Sequence, residues 1–251
     1  MDKFRIIVIA LVVLIGISGS AYADVALFQP DDFVGLTFWL ISIACLATTV
    51  FLFLERGSVL SKWTASVTVA GIITGVAFMH SMYVRNIWVA TGDAPIVYRY
   101  VDWLITMPLL TIQFYLVLSA VKKVSPTLFW KFLIAPLAMV LGCYAGEAGY
   151  ISSFLGFVIW MVGWIYILYE IFPGEAGKLC TKSTSDDLVT AFGKMRMIVT
   201  IGWTIYPLGY VFGYLTGGID SNTLNVIYNF ADFINKIAFG LVIWVAARNR
   251  Y

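Results

Sequence analysis

Seven stretches of roughly twenty almost uncharged residues run through this chain, and that is the length a helix needs to cross a hydrocarbon core about 30 Å thick. They fall at Phe33 to Leu54, Trp63 to Val84, Ile96 to Val121, Leu128 to Tyr144, Ile151 to Tyr169, Met195 to Leu215 and Leu224 to Ala247. With their connections they use nearly all of the 251 residues, leaving no room in them for a soluble catalytic domain. Composition agrees, since 61% of the residues are hydrophobic and 12% charged, where soluble domains carry about 25% charge. The runs are continuously apolar, without the alternation of an outer-membrane barrel strand. The expected fold is all-α, a bundle of seven transmembrane helices.

Ahead of the first span, Lys3 and Arg5 precede an apolar run from Ile6 to Ile15, and small residues follow, ending in Ala21-Tyr22-Ala23. This is the layout of a cleaved secretory signal peptide, so residues 1–23 are expected to be removed, leaving a membrane domain over 24–251 with its amino terminus outside. Loop charge gives the same orientation independently. In it, Arg56, Lys62, Lys122, Lys123, Lys131, Lys178, Lys182, Lys194, Arg196, Arg248 and Arg250 lie inside and only Arg85 and Arg99 outside, a strong positive-inside bias. The connection from Phe172 to about Asp187 is the longest polar loop expected. A net charge of +2 without a basic run gives no reason to expect a nucleic-acid partner. Cys45, Cys143 and Cys180 are too widely spaced for a disulfide framework or a metal site.

The ionisable groups left inside the spans are His80, Asp102, Asp232 and Lys236, with Arg99 near the outer end of the third. A central Asp or Lys costs at least ~2.5 kcal/mol there, so each needs a partner or a task. Lys236 lies too deep in the last span for its side chain to reach an interface. Asp232 is four residues earlier, one turn away on the same face. An Asp-Lys pair locking the bundle is one reading. The other is an amine in an apolar pocket, where desolvation favours the neutral form that condenses with an aldehyde to a Schiff base.

The third span reads Arg99-Tyr-Val-Asp102-Trp103-Leu-Ile-Thr106-Met-Pro108-Leu-Leu110-Thr-Ile-Gln113. At about 100° per residue Asp102, Thr106 and Gln113 fall within roughly 40° of one another, a polar stripe about 16 Å long. Such a stripe suits a proton or ion path, although Thr and Gln also make ordinary interhelical hydrogen bonds. The sixth span carries Trp203 and Tyr206 three apart on one face, and Pro207, which should kink it.

These residues together resemble the microbial rhodopsins, and most nearly the proteorhodopsins of marine bacteria. The resemblance rests on Arg99-Tyr-x-Asp102-Trp103-x-x-Thr106, on Trp203-x-x-Tyr206-Pro207, on Asp232-Phe-x-Asn-Lys236, on His80 placed 22 residues before Asp102, and on Gly146-Glu147-Ala148-Gly149 after the fourth span. It implies all-trans retinal on Lys236, Asp102 as main counterion and primary proton acceptor, Asp232 as second counterion, and Arg99 below them. Trp103, Thr106, Leu110, Trp203, Tyr206 and Pro207 would line the retinal. His80 would bond the acceptor and tune its proton affinity, and Glu147 would serve on the outer side. The resemblance also implies a bacterial inner membrane, protons as cargo and a homo-oligomer, pentamer or hexamer. An apolar Leu110 goes with green absorption in this family.

One departure bears on mechanism. Proton-pumping relatives carry a glutamic acid at the position of Gln113 that returns a proton from the inner side, and glutamine has no titrating proton to give. The expectation is an outward proton pump with slow reprotonation. A sensory photoreceptor is the alternative, because a slow cycle prolongs a signalling state. A sodium pump fits less well, sharing only the glutamine where its relatives have Asn, Asp and Gln, and a chloride pump would be repelled by Asp102. No nucleophile elbow, phosphate loop or metal cluster supports an enzyme.

Overall fold

The computed structural model describes residues 29, 31–183 and 185–248, and the expected signal peptide lies outside them. Among the described residues seven helices are long and apolar enough to cross a membrane: α1 (Phe33–Glu55), α2 (Ser61–Thr91), α3 (Ile96–Ser119), α4 (Pro126–Glu147), α5 (Ser153–Thr181), α6 (Asp186–Leu215) and α7 (Ser221–Arg248). No strand occurs among these residues. Successive helices pack side by side, and α7 closes the bundle against α1, α2 and α6. α3 and α7 are the most enclosed, with 67% and 56% of their apolar windows buried against 33% for α1, α4 and α5. That places the two helices carrying Asp102 and Lys236 in the interior. Large side chains such as Met79, Val101, Trp130 and Phe154 point outward, where a bilayer replaces water as their surroundings.

Local chemistry sets the helix ends. The Asp32 side chain caps α1 by accepting from the Gly35 amide at 2.8 Å, and its other oxygen accepts from the Trp88 indole at 2.6 Å, tying the start of α1 to the end of α2. Ser125 stands before Pro126, the favoured proline position in a first turn. Asp220 caps α7 through the Asn222 and Thr223 amides. α2 stops at Gly92, whose φ of +70° gives the left-handed turn that a side chain would resist.

Two expectations are corrected. α2 continues to Thr91 and so contains Arg85, which is buried and lies over the Trp39 ring at 4.9 Å, no free outer-loop charge. The stretch from Phe172 to about Asp187, expected as a loop, is largely helical. Glu170 is buried at 3% exposure and takes Lys131 at 2.8 Å and the Glu175 amide at 3.2 Å, and that amide starts a short helix over Glu175–Thr181. Ser185 then caps α6 at Asp186, well before the expected Met195. The polar side chains that suggested a loop are the helix-starting groups themselves.

Candidate functional site

The intramembrane charges of the sequence meet in one cluster between α3 and α7. Lys236 Nζ donates to Asp102 Oδ2 and lies 3.4 Å from Asp232 Oδ2. Arg99 reaches Asp232 Oδ2 at 3.5 Å. All four residues are buried, none more than 3% exposed. Two cations and two carboxylates sum to no net charge, which is what permits them in an apolar interior. Lys236 sits in a stretch of α7, Phe233–Ala238, where the backbone widens into π turns, a deformation often found where a helix carries a functional side chain.

Neighbouring residues hold the carboxylates in place. Tyr206 donates its hydroxyl to Asp232 Oδ1 at 2.7 Å and accepts from Asn235 Nδ2 at 3.1 Å. Asn235 Nδ2 also donates to the Gly202 carbonyl at 3.1 Å, stitching α7 to α6. Gly202 permits this approach, because a methyl there would collide with the Asn235 side-chain oxygen. Toward the start of α7, Arg99 donates to Asn225 Oδ1, to the Asn225 carbonyl and to Asn229 Oδ1, the last at 2.7 Å. The sequence reading did not single out Tyr206 as a carboxylate partner, nor Asn225, Asn229 and Asn235. A signal was available for two of them: Asn225 and Asn229 precede Asp232 at helical spacing on the same face of α7.

The expected aromatic residues surround the cluster. Trp103 packs its ring against Tyr206, Tyr228, Tyr100 and Trp160 at centroid distances of 5.2, 5.6, 5.3 and 5.9 Å. Trp103, Trp160, Tyr206 and Pro207 line a narrow cavity that continues toward Glu147. Trp203, Leu110 and Thr106 are buried with them. Pro207 lies in a short α-helical segment, Ile205–Tyr210, between two stretches of π turns, Ile198–Gly202 and Val211–Leu215.

His80 makes no hydrogen bond to Asp102: its Nε2 is buried without a partner, as is Asp102 Oδ1. Lys236 Nζ donates to the other carboxylate oxygen, Oδ2. Gln113 donates its amide to the Ser66 carbonyl at 2.9 Å, and Thr106 donates its hydroxyl to the Asp102 main-chain carbonyl at 3.0 Å. The polar stripe of α3 is therefore a shared face and not a connected chain of hydrogen bonds among the described residues. Glu147, the last residue of α4, accepts from Tyr100 at 2.7 Å and Tyr214 at 2.6 Å.

The donor set suits an aldehyde chromophore. Among the described residues a single buried amine is available for condensation, and a protonated imine in its place would keep the positive charge that the two carboxylates balance. The buried indole nitrogens of Trp103 and Trp203 and the free Asp102 Oδ1 leave polar groups within the box for that linkage to meet.

Comparison with known proteins returns the same group. A family profile described as bacteriorhodopsin-like protein matches residues 32–250. The chain is 49% identical over 219 residues to the blue-light absorbing proteorhodopsin of Gamma-proteobacterium Hot 75m4, covering 86% of this chain and 87% of that one. It is 48% identical over 218 residues to the green-light absorbing proteorhodopsin of Gamma-proteobacterium EBAC31A08, with the same coverage of 86% and 87%. The crystal structure of the blue light-absorbing proteorhodopsin from Med12 superposes with a TM-score of 0.76 at 46% identity, over 88% of this chain and 100% of that one.

Proposed function

The chain belongs to the bacteriorhodopsin-like family as a proteorhodopsin-like microbial rhodopsin, and from that premise we propose that it is a light-driven outward proton pump. The observation that carries the proposal is the buried amine of Lys236 held between Asp102 and Asp232. All-trans retinal joined to Lys236 Nζ would supply absorption of visible light and a change of shape on illumination, and Trp103, Thr106, Leu110, Trp203, Tyr206 and Pro207 would hold it.

The chain's own groups divide the proton work. Asp102 receives the proton on its carboxylate, because its partner is the Lys236 nitrogen alone while Asp232 is already occupied by Arg99 and Tyr206. Asp232 stays ionised as second counterion, held by the Tyr206 hydroxyl and the Arg99 guanidinium. The aromatic box excludes water, so the proton moves between fixed groups and does not exchange with solvent. Glu147, between two tyrosine hydroxyls, serves the outer side, and His80 tunes the acceptor from α2.

Gln113 occupies the inner half of the path and cannot supply a proton, so reprotonation draws on the inner aqueous phase and is slow. The same residue favours a second reading, a sensory photoreceptor in which slowness is useful. Leu110 carries the proposal of green absorption; relatives of both colours stand at 48–49% identity, so overall likeness does not set the colour. The remaining assignments belong to the same proposal: a cleaved leader over 1–23, the amino terminus outside, a bacterial inner membrane and a homo-oligomeric assembly.

The test is to express the chain in cells supplied with all-trans retinal and follow external pH under light. Acidification that a protonophore abolishes supports the pump. A coloured protein that leaves external pH unmoved refutes it and favours the sensory reading.

A further inference from the structure

Four polar residues of α7 lie on one face, Asn225, Asn229, Asp232 and Lys236, at spacings that keep them within about 60° of one another. Arg99 of α3 spends most of its hydrogen-bonding capacity on this ladder. Its Nε and one terminal nitrogen go to the Asn225 side chain, the latter at 3.0 Å, and that nitrogen also reaches the Asn225 carbonyl at 3.1 Å and Asn229 Oδ1 at 2.7 Å. The other terminal nitrogen alone reaches Asp232, at the longer distance of 3.5 Å. The two asparagines are themselves anchored elsewhere. Asn225 Nδ2 donates to the Ala94 carbonyl at 2.8 Å, and Asn229 Nδ2 donates to Thr37 Oγ1 of α1 at 3.0 Å. Both amide oxygens are thus oriented toward the guanidinium by their own nitrogens, and both residues are buried. The Phe38 and Tyr228 rings close over the guanidinium at 5.5 and 5.6 Å.

The direction of pull matters. α7 runs inward from Ser221, so Asn225 and Asn229 lie on the outer side of Asp232 and Lys236. Neutral amides hold the guanidinium outward while the carboxylates draw it inward.

We propose that Asn225 and Asn229 are positioning residues that hold Arg99 back from Asp102, committing its charge to Asp232 and leaving Asp102 free to accept a proton. The proposal rests on the assignment of Asp102 as acceptor. Without the clamp the guanidinium settles deeper, between the two carboxylates, and its charge then favours ionised Asp102. Fewer Asp102 side chains would take a proton at a given pH. The other ionisable groups around Asp102 are Cys45 from α1, Tyr206 from α6, and Asp232 and Lys236 from α7. His80 of α2 and Glu147 of α4 face Arg99. None of these is altered by substitution at the asparagines.

The experiment uses the full chain loaded with retinal and reads the pH midpoint of the visible red shift that accompanies protonation of Asp102. Asn225→Leu and Asn229→Leu should each move that midpoint to lower pH, by about one unit as expected for a cation brought nearer a carboxylate, and the double variant further. Trp88→Phe, which removes the Asp32 bond at the outer end, should leave the midpoint where it is. An unmoved midpoint in pigment-forming asparagine variants overturns the proposal, as does an equal shift in Trp88→Phe. If the leucine variants form no pigment, the wild type decides the matter. Protein labelled with nitrogen-15 in arginine and carbon-13 in asparagine should show a through-space contact between the Arg99 guanidinium and the Asn229 side-chain carbonyl in solid-state spectra, and absence of that contact overturns the proposal. Failure of the pump reading is separately visible, as wild-type pigment that does not acidify the medium.

Discussion

Replacing Lys236 with alanine tests the charge balance of the core. Lys236, Arg99, Asp102 and Asp232 are each 3% exposed or less, and removing the ammonium leaves one net negative charge among them. Asp232 keeps Arg99 at 3.5 Å and the Tyr206 hydroxyl at 2.7 Å. Asp102 loses the partner of its Oδ2, while its Oδ1 has none to begin with. The stranded carboxylate is therefore Asp102. Breaking a buried pair costs about 3–5 kcal/mol, and at roughly 2–4 °C per kcal/mol for a chain of this size the unfolding midpoint should fall by about 10 °C. The assay is thermal unfolding in detergent, followed by circular dichroism, with both proteins free of retinal so that chromophore binding plays no part. Adding Asp102→Asn restores neutrality at the stranded site and should recover most of the loss. Adding Asp232→Asn removes the carboxylate that still has partners and should recover little. The deficit of the single variant should also narrow as pH falls, because protonating Asp102 restores neutrality as the amide does. Equal rescue by the two second substitutions, or a single variant within about 2 °C of wild type, would refute the pairing on which this reasoning rests.

Other expected outcomes follow from the same geometry. Asp102→Asn should shift the visible band to the red and stop light-driven acidification. The wild-type band should redden as pH falls while the variant's band stays in place, and a wild-type maximum constant from pH ~4 to ~10 would count against Asp102 as the titrating counterion. Leu110→Gln should move the maximum to the blue, since a dipole beside the polyene acts unequally on its ground and excited states; an unmoved band would place the chromophore away from Leu110. Gln113→Glu should hasten recovery of the visible band after a flash at neutral to alkaline pH, by about 10²-fold or more for a positioned acid, because its neutral carboxyl can donate to the Ser66 carbonyl as the amide now does. If wild-type recovery is complete in milliseconds at every pH and the variant matches it, another internal donor exists. Asp220 is held below the usual carboxylate range by the Thr223 amide and hydroxyl, and its charged form caps α7. Asp220→Ala should lower the unfolding midpoint, as loss of a helix cap does, with an unchanged absorption maximum.

The sequence by itself determined everything that depends on local periodicity. Seven apolar runs specify seven helices because a hydrocarbon core tolerates no unpaired backbone, and the observed spans overlap all seven expected ones. The spacing of Asp232 and Lys236 put them on one face, and the cost of a buried charge marked Asp102, Arg99 and Lys236 before any contact was known. What only the tertiary structure decided is who meets whom across helices. That Lys236 gives its hydrogen bond to Asp102 of α3, with its own-helix neighbour Asp232 at 3.4 Å, depends on how α3 and α7 are rotated and set in depth. The same is true of Tyr206 on Asp232, of Arg99 on Asn225 and Asn229, and of His80 missing Asp102. π turns in α6 and α7 shift the register in mid-helix, so an ideal repeat counted from the ends misplaces side chains at the site. Helix existence is written residue by residue along one strand of sequence, whereas partner choice is a property of packed surfaces, whose rotations and depths no single helix encodes.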